Sequence, residues 1–68
     1  MTKFQLTHPQ SSDLNVMLVS EDHRHIGSFK RANGRGPWTF IAADGSDPRN
    51  GRQIDGWLTD EAVEAALS

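Results

Sequence analysis

The pattern of hydrophobic and polar residues predicts four β-strands in the first two-thirds of the chain. Successive side chains of a strand point to opposite faces of the sheet, so a strand with one buried face alternates between hydrophobic and polar residues. Residues 3–7 alternate in this way, whereas residues 14–20 are hydrophobic on both faces, which is typical of a central strand. Residues 24–31 and 37–43 are the third and fourth predicted strands.

Two features near the third strand shape the predicted sheet. Ile26 and Phe29 are three positions apart, which breaks the alternation, and Gly27 between them indicates a β-bulge that restores it. Asn33 and Gly34 favour a tight turn, because both residue types tolerate a positive φ angle. These short connections predict that the second, third and fourth strands form an antiparallel meander.

A helix is predicted near the C-terminal end, after a turn-rich, irregular segment at residues 44–56. Thr59 is a suitable N-cap, and the acidic Asp60 and Glu61 complement the positive end of the helix dipole. The apolar residues that follow helical spacing form one stripe: Leu58, Ala62, Val63, Ala66 and Leu67.

The predicted fold is a single small α+β domain over residues 1–68. It consists of an antiparallel sheet of three to four strands with one C-terminal helix packed on one face. The chain has no cysteine, so its core must hold the fold without disulfides or be extended by a second copy of the chain. The predicted sheet core comprises Phe4, Leu6, Val16, Leu18, Ile26, Phe29, Trp38 and Phe40.

Composition narrows the class of protein. Charged residues make up 24% of the chain and two tryptophans and three phenylalanines are present, which is not the composition of a disordered protein. No apolar run approaches the roughly 20 residues of a membrane-spanning helix, and no apolar stretch follows the first lysine as in a signal peptide. The sequence therefore predicts a cytoplasmic protein that does not act in a membrane.

The net charge of −2 is unevenly distributed along the sequence. Residues 24–52 are rich in lysine and arginine, whereas residues 53–68 contain acidic residues and no basic ones. Such an arrangement is compatible with an anion-binding face, with association between copies, or simply with a solvated surface.

The residues that could carry chemistry do not form a recognised motif. His8, His23 and His25 could together bind a metal, but their spacing matches no metal-site motif, and the segment from Asp44 lacks the ligand and glycine positions of a calcium loop. No serine, histidine or carboxylate arrangement marks a catalytic site. We therefore predict no enzyme activity, no cofactor and no metal.

Two binding hypotheses remain. The first is a small module that binds another protein, with a second copy of the chain as one candidate partner. Tryptophan and arginine are enriched at binding hot spots, and Trp57 either staples the start of the helix to the sheet or stays half exposed. The strand at residues 3–7 is predicted at an edge of the sheet, where it could pair with a strand of the partner. The alternative is a nucleic-acid-binding accessory domain that uses the basic hairpin at residues 30–35. The candidate binding residues are Lys30, Arg31, Asn33, Arg35 and Trp57.

Overall fold

The computed structural model describes residues 3–9, 14–32 and 34–68, with Arg35 described by its backbone alone. This part of the chain contains five strands and one helix. The strands are β1 (Phe4–Thr7), β2 (Val16–Glu21), β3 (Arg24–Ala32), β4 (Arg35–Ala42) and β5 (Gln53–Ile54), and the helix is α1 (Asp60–Leu67). The strands form one antiparallel sheet in chain order, so each strand pairs with its neighbour in sequence. The predicted small α+β architecture is confirmed.

The sheet has one more strand than the three to four predicted. Strand β5 lies within the segment predicted to be irregular, where Ile54 pairs with Trp38 and Gln53 pairs with Thr39. Two residues are too few for an alternating pattern to be visible in sequence. Ile54 is nevertheless buried, so this short strand extends the core.

The connection between β2 and β3 is a two-residue turn. Glu21 pairs with Arg24, and the two residues between them, Asp22 and His23, have φ angles of 50° and 68°. Positive φ at both central positions is what a type I′ turn requires, and this turn matches the twist of the strands that it joins.

The β-bulge predicted in the third strand is present. Val19 pairs with Gly27 and Ser20 pairs with His25, so Ile26 is the extra residue of β3. The turn into β4 is also short, because Ala32 pairs with Arg35 and Gly34 has a φ of 72°. Asn33, the other residue of the predicted turn, lies outside the described residues.

Pairing decides which face of β2 is buried. Val19 is aligned with Leu6 on β1 and with Gly27 on β3, and it has no exposed surface. Val16 and Leu18 lie on the opposite face and are only half-buried, so the prediction that they belong to the core is wrong. The alternation could not select a face, because both faces of this strand are hydrophobic.

The buried core comprises Phe4, Val19, Phe29, Trp38, Phe40, Ala42, Ile54, Val63 and Leu67, with Leu6 and Ile26 packed against it and partly exposed.

Helix α1 contacts both β1 and β5, the two edge strands of the sheet. The sheet therefore curves around the helix, and we call its buried side the inner face. The Thr59 hydroxyl accepts a hydrogen bond from the Ala62 amide at 3.1 Å, which confirms the predicted N-cap. Val63 and Leu67 are buried, so the apolar stripe faces the sheet.

Arginines from elsewhere in the chain bind the C-terminal end of α1, which has no basic residue in its own last turn. Arg52 donates to the Ala66 carbonyl at 2.7 Å and to the Ser68 carbonyl at 3.3 Å, and Arg49 donates to the Leu67 carbonyl at 3.4 Å. These contacts satisfy carbonyls that no longer have partners within the helix, and they place positive charge at the negative end of its dipole.

Candidate functional site

The inner face is covered by α1 at one end and carries a groove of about 310 Å³ at the other. Side chains from β1, β2, β3 and β4 reach this groove, and the segment just before α1 forms one rim. Most of the lining is apolar, and the residues that form it are Leu6, His8, Leu14, Met17, Arg31, Trp38, Trp57 and Leu58.

Large hydrophobic side chains stand exposed at the rim of the groove. Trp57 is 85% exposed and Leu14 is 70% exposed, whereas Trp38 beside them is buried. Of the two residues that precede the helix cap, Leu58 packs against the core and Trp57 does not. Trp57 is therefore a large apolar surface that the described fold leaves uncovered.

Arg31 lies on the groove side of the sheet and stacks on Trp38, with its guanidinium carbon 4.4 Å from the ring centroid. This is the geometry of a cation–π interaction, which holds the guanidinium plane in place. Its Nη2 donates one long hydrogen bond of 3.5 Å to the Leu14 carbonyl. Its Nε is buried and has no acceptor among the described residues.

A second cavity, of about 460 Å³, adjoins the groove. Arg31 and Trp57 line both cavities, so these two side chains stand at the junction between them. The second cavity is more polar, because backbone of the glycine-containing turns and the carboxylate of Asp55 contribute to it. The two cavities together form a surface longer than a single side chain would fill.

The structure separates the predicted binding residues. Arg31 and Trp57 meet at the groove, whereas Lys30 is exposed on the opposite face of β3, where its cross-strand neighbour is Thr39. Asn33 lies outside the described residues, and Arg35 is described only by its backbone, which pairs with Ala32. The two basic side chains of the hairpin that the structure describes, Lys30 and Arg31, thus lie on opposite faces of β3.

Several groove residues were not singled out from the sequence as binding residues. Trp38 was predicted as core, and it is both buried in the core and part of the groove wall. Met17 and Leu14 were not predicted as binding residues. The sequence does indicate apolar surface outside the core here, because a strand that is hydrophobic on both faces has more apolar surface than one core can cover. His8 was considered only as a metal ligand.

Arg49 is the centre of an ion-pair cluster away from the groove. Its guanidinium lies 2.8 Å from Asp47 and 3.4 Å from Glu21, and Lys3 lies 3.2 Å from the other oxygen of Glu21. Hydrogen bonds from the Arg49 side chain and backbone lower the pKa of Asp47 from 3.8 to about 2. The hydrogen bond from Lys3, together with the contact with Arg49, lowers the pKa of Glu21.

The histidines do not assemble into a metal site. His8 follows the end of β1 that lies at the groove, whereas His23 lies in the turn at the opposite end of β2. Within residues 3–9, 14–32 and 34–68, no three histidine, cysteine, aspartate or glutamate side chains are grouped so that they could hold a metal ion. The predictions of no enzyme activity, no cofactor and no metal stay predictions.

No helix in the described part of the chain has the length and apolar character needed to cross a membrane. A cytoplasmic location stays a prediction. No protein-family model, no curated protein and no solved structure shows significant similarity to this chain.

Proposed function

We propose that this protein is a small interaction module that binds an extended segment of another protein in the groove between Trp57 and β1. The observation that carries the proposal is the exposure of Trp57, at 85%, at the same groove as Leu14, which is 70% exposed. Single exposed hydrophobic residues are ordinary on protein surfaces, but two large ones at the rim of an apolar cavity mark an interaction site.

The energetics of such a site favour a protein partner. A tryptophan removes about 150–250 Å² from water when it is buried, and tryptophan anchors at interface centres commonly contribute about 2 kcal/mol or more. The groove supplies a wall for a partner side chain in Trp38, which the surrounding core holds in place. A rigid aromatic wall lowers the ordering cost of binding.

The distribution of basic residues supports a protein partner over a nucleic acid. Affinity for a phosphate backbone requires several cations on one surface. Arg49 and Arg52 are engaged by carboxylates and by helix carbonyls, and Lys30 and Arg31 lie on opposite faces of β3. The basic segment of the sequence therefore does not become one continuous basic surface among the described residues.

Selection from a displayed library of random twelve-residue peptides tests the proposal. The full chain should select peptides that Trp57→Ala no longer binds, because the exposed indole provides the anchor. Ile41→Ala is the matched control: Ile41 is also an exposed large hydrophobic residue, at 42%, but it lies on the outer face of β4. Selected peptides that bind Trp57→Ala as well as the unaltered chain would contradict the proposal.

A second copy of the chain is the competing protein partner. Sedimentation equilibrium over a range of protein concentrations distinguishes the two cases. We expect the unaltered chain to remain a monomer at concentrations where it binds the selected peptides. A dimer that dissociates when Trp57 is replaced by alanine would assign the groove to self-association instead.

A further inference from the structure

We propose that the groove selects a segment that carries a carboxylate side chain next to a bulky apolar one, and that Arg31 is the residue that determines this specificity. This inference rests on the proposed function and names the chemistry of its partner. The apolar side chain would contact Trp57 and Trp38, and the carboxylate would contact the guanidinium between them.

The charge of the groove is the first observation that supports the inference. Among the described residues that line it, Arg31 and His8 are the only ones with ionisable side chains, and none is acidic. Asp55 lies in the neighbouring cavity, beyond Trp57. Among the described residues, a ligand side chain that enters the groove therefore meets positive charge and no carboxylate, which favours an anion.

The state of the Arg31 guanidinium is the second observation. The Trp38 ring orients the guanidinium at 4.4 Å, and the only hydrogen bond of the Arg31 side chain to a described residue is the 3.5 Å contact from Nη2 to the Leu14 carbonyl. A guanidinium carries five donors, four of them on its two Nη groups, so most of the Nη donors of Arg31 have no acceptor among the described residues. A carboxylate can accept two parallel hydrogen bonds from one guanidinium, so a partner carboxylate is the group that fits this vacant bonding capacity.

The other arginines of the fold show the contrast. Arg49 is surrounded by Asp47 and Glu21, and Arg52 donates to two backbone carbonyls at the end of α1. Both have partners within the chain that explain their position. Arg31 has an aromatic support and no carboxylate partner in the described part of the chain, which is the arrangement expected of an arginine that binds a ligand.

The test compares the protein with two single-charge variants on peptides from the same random library. Arg31→Gln and Lys30→Gln each remove one positive charge from neighbouring positions of β3, but Lys30 lies on the outer face.

Peptides selected by the unaltered chain should be enriched in aspartate or glutamate beside an apolar residue. For one such peptide, the Kd measured by tryptophan fluorescence should rise about 10–100-fold with Arg31→Gln, the loss expected for a hydrogen bond to a charged group. It should change by less than about threefold with Lys30→Gln, whose exposed charge acts only through long-range steering.

A complementary measurement needs no protein variant. Replacing the glutamate of the selected peptide by glutamine, or its aspartate by asparagine, should weaken binding to the unaltered chain by a similar factor and should have little further effect on Arg31→Gln. Peptides that depend on Trp57 but lack acidic residues would overturn the carboxylate inference and leave the proposed function standing. A library that yields no Trp57-dependent peptide would overturn both. Displacement of the peptide by a twelve-nucleotide single-stranded DNA, with a steep salt dependence, would also overturn both and assign the groove to nucleic acid.

Discussion

At the scale of single residues, Gly27 occupies a position on β3 where no side chain fits. A Cβ atom there would overlap the Ile41 carbonyl oxygen and lie 2.9 Å from Cζ of Phe40, and the φ angle of 156° disfavours any residue other than glycine. The fully buried ring of Phe40 lies against Gly27 at this close approach of β3 and β4.

Gly27→Ala should therefore destabilise the fold by about 3 kcal/mol or more, because overpacking and backbone strain act together. Urea denaturation followed by circular dichroism measures the change. Gly45→Ala is the matched control, since nothing lies within 4 Å of the added methyl group and the backbone there is not in the positive-φ region. Equal midpoints for the two variants would show that β3 and β4 do not approach each other as described.

The two tryptophans provide a second contrast between neighbouring residues. Trp38→Ala should cost about 3–5 kcal/mol of unfolding free energy, because it empties a buried site of the core. Trp57→Ala should change stability by no more than about 0.5 kcal/mol, since the side chain is exposed. Thermal unfolding of both variants checks the expectation, and a large loss of stability in Trp57→Ala would mean that this residue has a structural role.

At the scale of elements, the turn between β2 and β3 is built from residues that do not favour its conformation. Asp22 and His23 both have positive φ angles, which cost non-glycine residues about 1 kcal/mol, less for aspartate than for most others. The tight pairing of Glu21 with Arg24 imposes this geometry.

Replacing His23 by glycine should raise the free energy of unfolding by about 0.5–1 kcal/mol, because glycine adopts the left-handed conformation without strain. Chemical denaturation measures the gain. His23→Ala is the control, since it removes the imidazole but retains a Cβ, and it should give no comparable gain. A glycine variant less stable than the unaltered chain would mean that the imidazole makes a stabilising contact that outweighs the strain.

The elements also show how far the sequence could predict this structure. The helix, its Thr59 cap, the Gly27 bulge and the meander were predictable, because each depends on residues close together in sequence. The buried face of β2 was not, since its choice between Val19 and Leu18 is made by pairing with distant strands. Strand β5 was too short to leave a periodic signal.

The candidate site was predictable only in part, for a related reason. Arg31 and Trp57 were identified as candidate binding residues by residue type alone. Their placement at one groove depends on the curvature of the sheet and on the segment before α1, which no local pattern encodes. Lys30 and Arg31 do not form one hairpin surface, because adjacent side chains of a strand such as β3 point to opposite faces of the sheet.

At the scale of the whole molecule, the Arg49 cluster ties three distant segments together. It joins Glu21 at the end of β2 and Asp47 in the loop after β4 to the Leu67 carbonyl of α1. The carboxylates of Glu21 and Asp47 have lowered pKa values in the folded state, so an unfolded chain takes up protons at a higher pH than the folded one.

Stability should therefore be fully present above about pH 5 and should fall as the pH is lowered through the usual carboxyl range towards the folded pKa of Asp47, which is about 2. In Arg49→Gln this loss of stability with decreasing pH should be shallower, because the Asp47 pKa returns towards its usual 3.8. Urea denaturation at a series of pH values measures the slope. Arg52→Gln is the control: it should lower stability at every pH and keep most of the slope, since Arg52 hydrogen-bonds to backbone oxygens at the end of α1 and makes only the smallest contribution to the lowered pKa of Asp47.

The contact of α1 with both edge strands has a consequence for the order of events during synthesis on the ribosome. Phe4 and Leu67 belong to the same buried cluster but are 63 positions apart in the sequence (67 − 4), so Phe4 leaves the ribosomal exit tunnel well before Leu67. At typical elongation rates of about 5–20 residues per second, the delay between Phe4 and Leu67 lasts roughly 3–13 seconds. During that time the helix cannot yet cover Val19, Phe29 and Phe40, so we expect the nascent meander to expose hydrophobic surface of the kind that chaperones bind.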